Sequence, residues 1–410
     1  LMLSSGEKLD LMLTFPYTYT NLVGQGQIQE IGPLLDQYGQ GIKEVLGDYL
    51  KGSVINGKIY GVTPWCDKAG SGTLIIRKDK IEKYNIDTSK VKTLSDIGEM
   101  FRIIKENEPD AEILGYSAQG SGLASMYFSF SVDTLGDGFG VLMDYGKELK
   151  VVNLYETQEY VDFINTMRDW YTKGYIMKDI ATAKEDQHTL MKAEKMYAYF
   201  SLGKPGIAEQ ESAQNGYECL AIELSPGFSK TSNVSIFQWV VPNACEAPEK
   251  AVQLLNLMYT DPRVVNLMSW GIEGKHYEKK TDGTIGFPEG LNDQSSGWFL
   301  NTPWMFGNGF LAHVWEGNDV DLWDQTEKFN NEAIISKAMG FTYDPTPVKN
   351  EVAALTNVYD QYKMSLEGGA VDPSEVYPQF VERLKQAGID KVIAEKQRQL
   401  DEWAAANNVN

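Results

Sequence analysis

The chain has 410 residues and a mass of 45.9 kDa, more than one hydrophobic core usually organises, so two domains of about 200 residues are expected. Its formal net charge of −20 argues against nucleic acid and anionic membrane surfaces as partners, because both select clustered lysine and arginine. Apolar runs stop short of the roughly 18 residues that span a bilayer, which argues against a transmembrane helix.

Predicted strands and amphipathic helices alternate along most of the chain, a pattern typical of an α/β fold with a mainly parallel sheet. Thr93 predicts the start of one helix, and Gly174 predicts the end of another. The carboxyl-terminal part is mostly helical and ends in a helix with Ile389, Leu400 and Trp403 on one side. The predicted strands are residues 10–15, 58–62, 73–77, 112–117, 196–201, 218–224 and 234–241.

Two further helices each open with a proline, Pro248 and Pro262, at the first helical position, where the missing N–H costs nothing. Asp261 suits the cap before the second helix, because its carboxylate accepts hydrogen bonds from free backbone N–H groups. A glycine-bounded loop at residues 271–277 follows. The first helix is predicted to bury one apolar face, formed by Leu254, Leu257 and Met258.

These two helices and the loop resemble the corresponding region of the extracellular solute-binding proteins of bacterial ABC transporters, in the branch that includes sugar-binding lipoproteins. The resemblance extends, in the expected order, to residues 56–62, 74–79, 203–206 and 387–403. It implies an α/β, two-lobed periplasmic-binding-protein fold, type II-like, with discontinuous lobes joined by a multi-strand hinge. The implied lobes are residues 1–113 plus 242–300, and residues 114–241 plus 301–410 with a helical carboxyl-terminal extension. Chain crossings are expected near residues 113–117, 237–242 and 298–302.

The resemblance also implies a function without catalysis and without a cofactor or metal. The lobes are expected to close on an oligosaccharide in the cleft between them, and the permease subunits of an ABC importer are expected to recognise the closed form. A monomer is usual for the family. Because the first residues resemble the end of the family's first helix, we expect the first strand, a signal peptide and a lipid-bearing cysteine to lie outside the numbered sequence. That cysteine would anchor the protein at the bacterial cell surface.

A catalytic motif in the sequence would be the main evidence against this interpretation. The chain contains no G-x-S-x-G, H-E-x-x-H or phosphate-loop motif. Its 57 aspartates and glutamates make some carboxylate pair unavoidable, so composition alone leaves a glycosidase as an alternative. Asp319, Asp321 and Asp324 lack the glycine and glutamate of a calcium loop and are interpreted as an acidic helix start. We interpret the three cysteines as buried free thiols, with one disulfide as the alternative: Cys66, Cys219 and Cys245.

Aromatic residues are the positive signal, with nine tryptophans and 22 tyrosines in the chain. Sugars present apolar C–H faces edged by hydroxyls, and flat aromatic rings with polar neighbours suit them. Ligands of open α/β sheets lie beyond the carboxyl ends of strands, so residues that follow strands are the candidates. The predicted ligand-binding residues are Tyr17, Tyr19, Trp65, Asp67, Lys204, Trp239, Trp270, Glu273, Tyr277, Trp298, Trp304 and Asn308.

Most of these residues also have a purely structural interpretation. Trp65 and Trp239 would equally suit core packing, and Lys204 would suit a solvated surface position. Trp315 and Trp323 are predicted to pack rather than to bind. If Trp65 contacts the ligand, its replacement by alanine should weaken binding and leave the fold intact.

Two alternatives to transport, and one alternative ligand class within it, stay open at this point. A secreted glycan-active enzyme, either a glycosidase or a lyase, would turn over the oligosaccharide. A sensor or adhesion module of the same fold would act through a membrane receptor. A peptide- or amino-acid-binding protein of the same fold would favour charged clamps over aromatic platforms.

Overall fold

The structure is a computed structural model that describes residue 3 and residues 7–15, 18–300 and 302–409. The α-helices are α1 Thr18–Gly24, α2 Gly32–Tyr38, α3 Gln40–Leu46, α4 Lys78–Lys83, α5 Leu94–Asn107, α6 Leu123–Phe128, α7 Gln158–Thr172, α8 Gln187–Lys192, α9 Ile207–Asn215, α10 Thr231–Ser235, α11 Pro248–Thr260, α12 Pro262–Trp270, α13 Leu322–Glu332, α14 Lys349–Glu367, α15 Pro373–Gln386 and α16 Ile389–Asn407. The strands are β1 Met12–Thr14, β2 Val54–Ile55, β3 Lys58–Ile59, β4 Gly61–Val62, β5 Ser71–Arg77, β6 Leu114–Gly115, β7 Ala198–Gly203, β8 Cys219–Glu223, β9 Phe228–Ser229, β10 Gln238–Val240, β11 Glu278–Lys279, β12 Ile285–Gly286 and β13 Ile334–Ile335.

Two compact units make up the chain, and each is discontinuous in sequence. Unit 1 contains the residues up to Ala69 together with Ser229–Glu332 and Met339–Thr342. Unit 2 contains Gly70–Phe228, Ala333–Ala338 and the residues from Tyr343 onward. The chain therefore enters unit 2 after Ala69, returns after Phe228, and changes unit again between Glu332 and Tyr343.

This division differs from the predicted lobes in four segments. Residues 70–113 belong to unit 2, because β5 pairs with β7 and β8 in one sheet. Residues 229–241 belong to unit 1, because β10 pairs with β1 and β4. Residues 301–332 and 339–342 also belong to unit 1. Strand pairing between distant segments determines the units, and the sequence pattern does not reveal which strands pair.

Unit 1 contains a three-stranded antiparallel sheet in the order β1–β10–β4, with β10 in the middle. Helices α2, α3 and α11 pack together beside it and bury Leu35, Ile42 and Leu255. As predicted, α11 and α12 begin with Pro248 and Pro262. The Asp261 side chain accepts a hydrogen bond from the backbone N–H two residues later, which confirms the predicted cap.

The predicted apolar face of α11 is wrong at two of its three positions. Leu254 and Leu257 are each 45% exposed, whereas Met258 is buried. The buried stripe instead repeats at spacings of four and three residues on the side that meets α2 and α3. It consists of Ala251, Val252, Leu255, Met258 and Tyr259.

The predicted strand at residues 234–241 is only partly correct. Val234 lies in α10, and β10 begins at Gln238. The Val234 side chain is fully buried in unit 1 against Gly52, where an added Cβ would lie 2.6 Å from the Val234 Cβ. A buried valine in a short helix and one in a strand give the same apolar signal in sequence.

Unit 2 contains a four-stranded sheet in the order β6–β7–β5–β8. Every residue of β5 is buried, which explains its unbroken apolar run. The β6–β7 pair is parallel, but β5 runs antiparallel to both β7 and β8, so the prediction of a mainly parallel sheet is wrong here. Helix α5 begins with a capping box between Thr93 and Asp96, at the predicted residue.

The carboxyl-terminal helices α14, α15 and α16 pack in unit 2, with Ile389 and Leu400 fully buried as predicted for the last helix. Lys396 on the same helix is also fully buried. Its Nζ donates to Asp137 Oδ1 at 2.5 Å and to the carbonyl oxygen of Gly140 at 3.1 Å. Burial lowers the pKa of Lys396, and the facing carboxylate of Asp137 opposes that shift.

Glu367 is a second ionisable group inside unit 2, and burial raises the pKa of its carboxyl to about 7 from an ordinary 4.5. Because the folded state holds this proton more tightly than the unfolded state, stability is lost as the pH rises from 4.5 to 7. A shift of this size corresponds to ~3 kcal/mol. We expect Glu367→Gln to remove this loss, so that the variant gains stability over the wild type at pH 8 but not at pH 4. Denaturant unfolding at both pH values measures the difference, and an equal offset at the two values would contradict it.

The three cysteines are free and buried, which confirms the preferred interpretation. Within the described ranges, no group of three or more His, Cys, Asp or Glu side chains could hold a metal ion. No helix among the described residues is long and apolar enough to cross a membrane.

Candidate ligand-binding surfaces

An exposed row of aromatic side chains lies at one edge of the unit 1 sheet. The edge is where β1 and β4 end and β10 begins, because both outer strands run antiparallel to β10. The Phe15 and Phe237 rings meet edge to face with centroids 5.7 Å apart, and the Phe237 and Trp304 centroids are 5.0 Å apart. Phe15 is 55% exposed and Trp304 36% exposed, so this row, here called the aromatic edge, presents ring surface to solvent.

Main-chain hydrogen bonds hold the segment that carries Trp304. The Trp239 Nε1 donates to the carbonyl oxygen of Met305 at 2.6 Å. The Trp65 N–H donates to the carbonyl oxygen of Gly307, and the Gly309 N–H donates to that of Trp65. An added Cβ at Gly307 would lie 2.2 Å from the carbonyl oxygen of Met258, so this close approach requires glycine. Contacts with the backbone therefore fix the segment that places Trp304 in the aromatic edge.

Five of the predicted ligand-binding residues are buried within unit 1. Trp65 packs against Tyr49 at 4.9 Å and Phe310 at 5.9 Å between ring centroids. The Asn308 side chain accepts a hydrogen bond from the Phe310 N–H as a helix cap. The packing of Trp65 is the structural role that the sequence analysis weighed against binding, whereas the capping role of Asn308 was not predicted. The five buried residues are Tyr19, Trp65, Trp270, Tyr277 and Asn308.

A second aromatic group in unit 1 gathers around α12 and the β11–β12 hairpin. Trp270 and Trp315 have ring centroids 5.1 Å apart, and Phe299 lies 4.6 Å from Trp315. Trp315 therefore packs, as predicted. Trp298 is 43% exposed, and its Nε1 donates to the carbonyl oxygen of Met268 at 3.1 Å. Of the predicted tryptophans, Trp270 and Trp298 therefore belong to this group and Trp304 to the aromatic edge.

The remaining predicted residues are polar or fall outside the described ranges. Glu273 is exposed and forms an ion pair with Lys279 at 3.2 Å, while Asp67 is half-buried in the segment that follows β4. Lys204 is half-buried directly after β7, and it belongs to unit 2. Tyr17 lies outside the described residues.

Unit 2 has its own cavity, of about 150 Å³, at the edge of the sheet where β7 and β8 end and β5 begins. The Ser225 hydroxyl lies in its wall and accepts a hydrogen bond from the Gly72 N–H at 2.7 Å. Tyr145 has a left-handed backbone with φ of 60°, a strained conformation that often marks functional positions. The cavity, here called the unit 2 cavity, combines aromatic rings with hydroxyls: Tyr127, Phe130, Tyr145, Phe200, Thr73, Ser201 and Ser225.

The sequence analysis did not predict Phe237 or the rings of the unit 2 cavity as ligand contacts. Phe237 directly precedes β10, so the rule that favours residues after strands overlooks it. Tyr127 lies in a helix and Tyr145 in an irregular segment, and neither follows a predicted strand. An antiparallel neighbour brings the start of one strand beside the end of the next, and the sequence pattern does not reveal that pairing.

Comparison with known proteins identifies the family of the chain. Residues 1–263 match the family model described as "bacterial extracellular solute-binding protein". The chain belongs to this family. Residues 337–405 also match a domain of unknown function, DUF3502. The predicted resemblance is confirmed, and solute-binding proteins of this family are not enzymes.

One relative of this solute-binding protein matches nearly its whole length, and another matches about two thirds of it. It is 28% identical over 408 residues, 98% of this chain and 80% of the relative, to a carbohydrate ABC transporter substrate-binding protein of Streptococcus pneumoniae serotype 4. It is 25% identical over 282 residues to the polygalacturonan/rhamnogalacturonan-binding protein YtcQ of Bacillus subtilis, covering 65% of this chain and 54% of YtcQ.

The structure of this family member also superposes on a solved one. The N-glycan transport solute binding protein NgtS of Streptococcus pneumoniae matches with a TM-score of 0.83 and 26% identity, covering 98% of this chain and 87% of NgtS. The same protein in complex with Man1GlcNAc matches with a TM-score of 0.72. The predicted fold class, an α/β periplasmic-binding-protein fold, is confirmed.

Proposed function

We propose that this protein is the substrate-binding component of an ABC importer and that its ligand is an oligosaccharide. The observation that carries the proposal is the aromatic edge of unit 1, where Phe15, Phe237 and Trp304 form a continuous row with exposed rings. Relatives at 25% identity or more are named for carbohydrate transport, for polygalacturonan binding and for N-glycan transport, which supports the same ligand class.

The chemistry of the two surfaces suits a sugar. A pyranose ring stacks its apolar C–H face on an aromatic ring, and such contacts are short and directional. The Ser201 and Ser225 hydroxyls of the unit 2 cavity can exchange hydrogen bonds with sugar hydroxyls. Among the described residues, Lys92 is the one charged side chain that lines the unit 2 cavity, so the cavity lacks the pair of opposite charges that would clamp both termini of a peptide or an amino acid, and we rank those ligands second.

The transport context extends the proposal beyond the ligand. We infer that permease subunits in the membrane receive the ligand-bound protein and that the protein acts outside the cytoplasm as a lipid-anchored lipoprotein. The extracellular family and the carbohydrate transporter relative support this inference. The expected closure of two lobes on the ligand stays a prediction.

A thermal-shift screen tests the ligand class. The protein is melted with Man1GlcNAc, with galacturonic-acid oligomers, and with a contrasting set of amino acids and short peptides. A ligand at about a hundred times its Kd stabilises the folded state by roughly 2.7 kcal/mol, which raises the Tm measurably. We expect a shift with a saccharide and no loss of that saccharide on long incubation. A shift confined to peptides or amino acids would refute the carbohydrate assignment, and saccharide turnover would indicate the enzyme alternative.

Trp304→Ala is expected to weaken saccharide binding at least tenfold, because it removes the largest exposed ring of the aromatic edge. Trp298→Ala provides a matched control, since that tryptophan is 43% exposed but belongs to the second aromatic group. Calorimetric titration of both variants gives the comparison. A loss of affinity in Trp298→Ala with wild-type affinity in Trp304→Ala would move the site to the second group.

A further inference from the structure

Glu367, the last residue of α14, is a fully buried carboxylate that contacts three hydrogen-bond donors in unit 2. Its Oε2 accepts from the Ala124 N–H at 3.2 Å and from the Tyr359 hydroxyl at 3.4 Å, and its Oε1 accepts from the Tyr160 hydroxyl at 3.2 Å. A Cβ added at Gly122 would lie 1.8 Å from Oε2, so glycine is required beside the carboxylate. Glu367 therefore links α14 to α7 and to the start of α6.

Helix α6 separates two cavities of unit 2. Met126 and Tyr127 line the unit 2 cavity, which we proposed as a sugar surface. Ala124 and Phe128 line a second cavity of about 180 Å³, which the Glu367 side chain also lines. The Tyr127 ring stacks on Phe163 of α7 with centroids 4.9 Å apart, so a displacement of α6 moves the ring. The carboxylate and the sugar surface thus lie on opposite faces of one short helix.

We propose that Glu367 is a positioning residue for the ligand: its ionised carboxylate holds the start of α6 so that Tyr127 presents its ring to the saccharide, and protonation of the carboxylate weakens binding. The inference rests on the proposed function of the unit 2 cavity. Saccharide affinity then depends on pH through the Glu367 carboxyl, a group that does not contact the ligand.

The three contacts explain why the proton matters. All three groups donate to an ionised carboxylate, and hydrogen bonds to an ionised acceptor are about twice as strong as neutral ones. The backbone N–H of Ala124 can only donate, so a proton on Oε2 would weaken its bond to Glu367, because a neutral carboxyl oxygen is a poorer acceptor than an ionised one. A proton on Oε1 would have to turn the Tyr160 hydroxyl into an acceptor. Either form holds the start of α6 less firmly.

Groups on each neighbouring element face the same carboxylate. Tyr160 on α7 and Tyr359 on α14 donate to it. Their own burial, and then the negative charge of Glu367, raise the pKa of both phenols well above the ordinary value. Lys363, one turn earlier on α14, opposes proton uptake by Glu367 but forms an ion pair with Asp360 at 2.6 Å. Tyr155 and Asp137 line the same second cavity. Despite these donors, burial raises the pKa of Glu367 to about 7, so the carboxyl titrates near neutral pH.

Calorimetric titration with Man1GlcNAc between pH 5.5 and 8.5 tests the proposal, because this uncharged saccharide does not titrate. We expect wild-type affinity to fall at least about fivefold toward pH 5.5. Glu367→Gln should show the low-pH affinity throughout, with no pH dependence. Tyr359→Phe should shift the midpoint to higher pH, because it removes a donor that stabilises the ionised form. Glu382→Gln, which removes an exposed carboxylate on α15, should follow the wild type.

A wild-type pH profile that persists unchanged in Glu367→Gln would overturn the proposal. If Man1GlcNAc does not bind at any pH, this saccharide is not the ligand and a second readout decides the role of Glu367. Hydrogen exchange of residues 123–131, corrected for intrinsic rates and expressed relative to the amides of β5, should then show less protection at pH 5.5 than at pH 8.5 in the wild type. Equal protection at both pH values would overturn the positioning role independently of any sugar.

Discussion

Replacing Asn330 with alanine is expected to lower the free energy of unfolding by about 3–5 kcal/mol, although the residue is a single polar side chain on α13. Its Oδ1 accepts from the N–H groups of Lys68 at 3.1 Å and Ala69 at 3.2 Å, and its Nδ2 donates to the carbonyl oxygen of Cys66 at 2.6 Å. Asn330 is 1% exposed, so no water replaces these bonds when the amide is removed. Three buried backbone groups would lose their partner.

The neighbouring residue provides the control for this experiment. Asn331 is exposed on the same helix, so Asn331→Ala changes the same chemistry without removing a buried partner. Denaturant unfolding of both variants, compared at equal m-values, isolates the contribution of the buried amide. A loss below about 1 kcal/mol in Asn330→Ala would show that the segment at residues 66–69 does not depend on these bonds.

Trp65→Ala is expected to cost about 3–5 kcal/mol of stability, the usual range for removing a buried tryptophan. The side chain is 4% exposed and packs between Tyr49 and Phe310. The sequence analysis expected this substitution to weaken ligand binding and leave the fold intact. The structure predicts the opposite result, a loss of stability rather than a loss of affinity. The loss should appear in unfolding measurements made without ligand.

Trp65→Phe keeps part of the packing and should lose less stability than the alanine variant. Saccharide affinity is measured for both variants under conditions where each is fully folded. We expect affinities close to that of the wild type. Wild-type stability with lost affinity in Trp65→Ala would contradict the packing role and return Trp65 to the ligand surface.

Local sequence signals predicted the elements well where one residue determines the geometry. Pro262 and Asp261 marked the start of α12, and Thr93 marked the start of α5. In both cases the side chain satisfies backbone N–H groups within its own first turn, so no distant contact is needed. The apolar face of α11 was wrong at Leu254 because several stripes of apolar residues fit one helix, and the helices packed against it select among them.

The candidate site was less predictable for the same physical reason. Trp65 and Trp304 both lie near sheet edges and look alike in sequence, but one is packed and the other 36% exposed. Which of them contacts solvent depends on the backbone bonds between Trp65 and the segment at residues 307–309, more than 240 residues away. Phe237 was missed because its position before β10 becomes an edge position only through antiparallel pairing. Composition predicted aromatic recognition but could not choose among the rings.

The central place of β10 in the unit 1 sheet has a consequence for biosynthesis. Strands β1 and β4 do not pair with each other, and each needs β10, which ends at Val240. The unit 2 sheet is complete once β8 has been made, at Glu223. A chain that emerges from its amino terminus therefore carries β1 and β4 without their sheet partner while the strands of unit 2 are already assembling. During that interval the earliest part of unit 1 is the segment most open to chaperones and proteases.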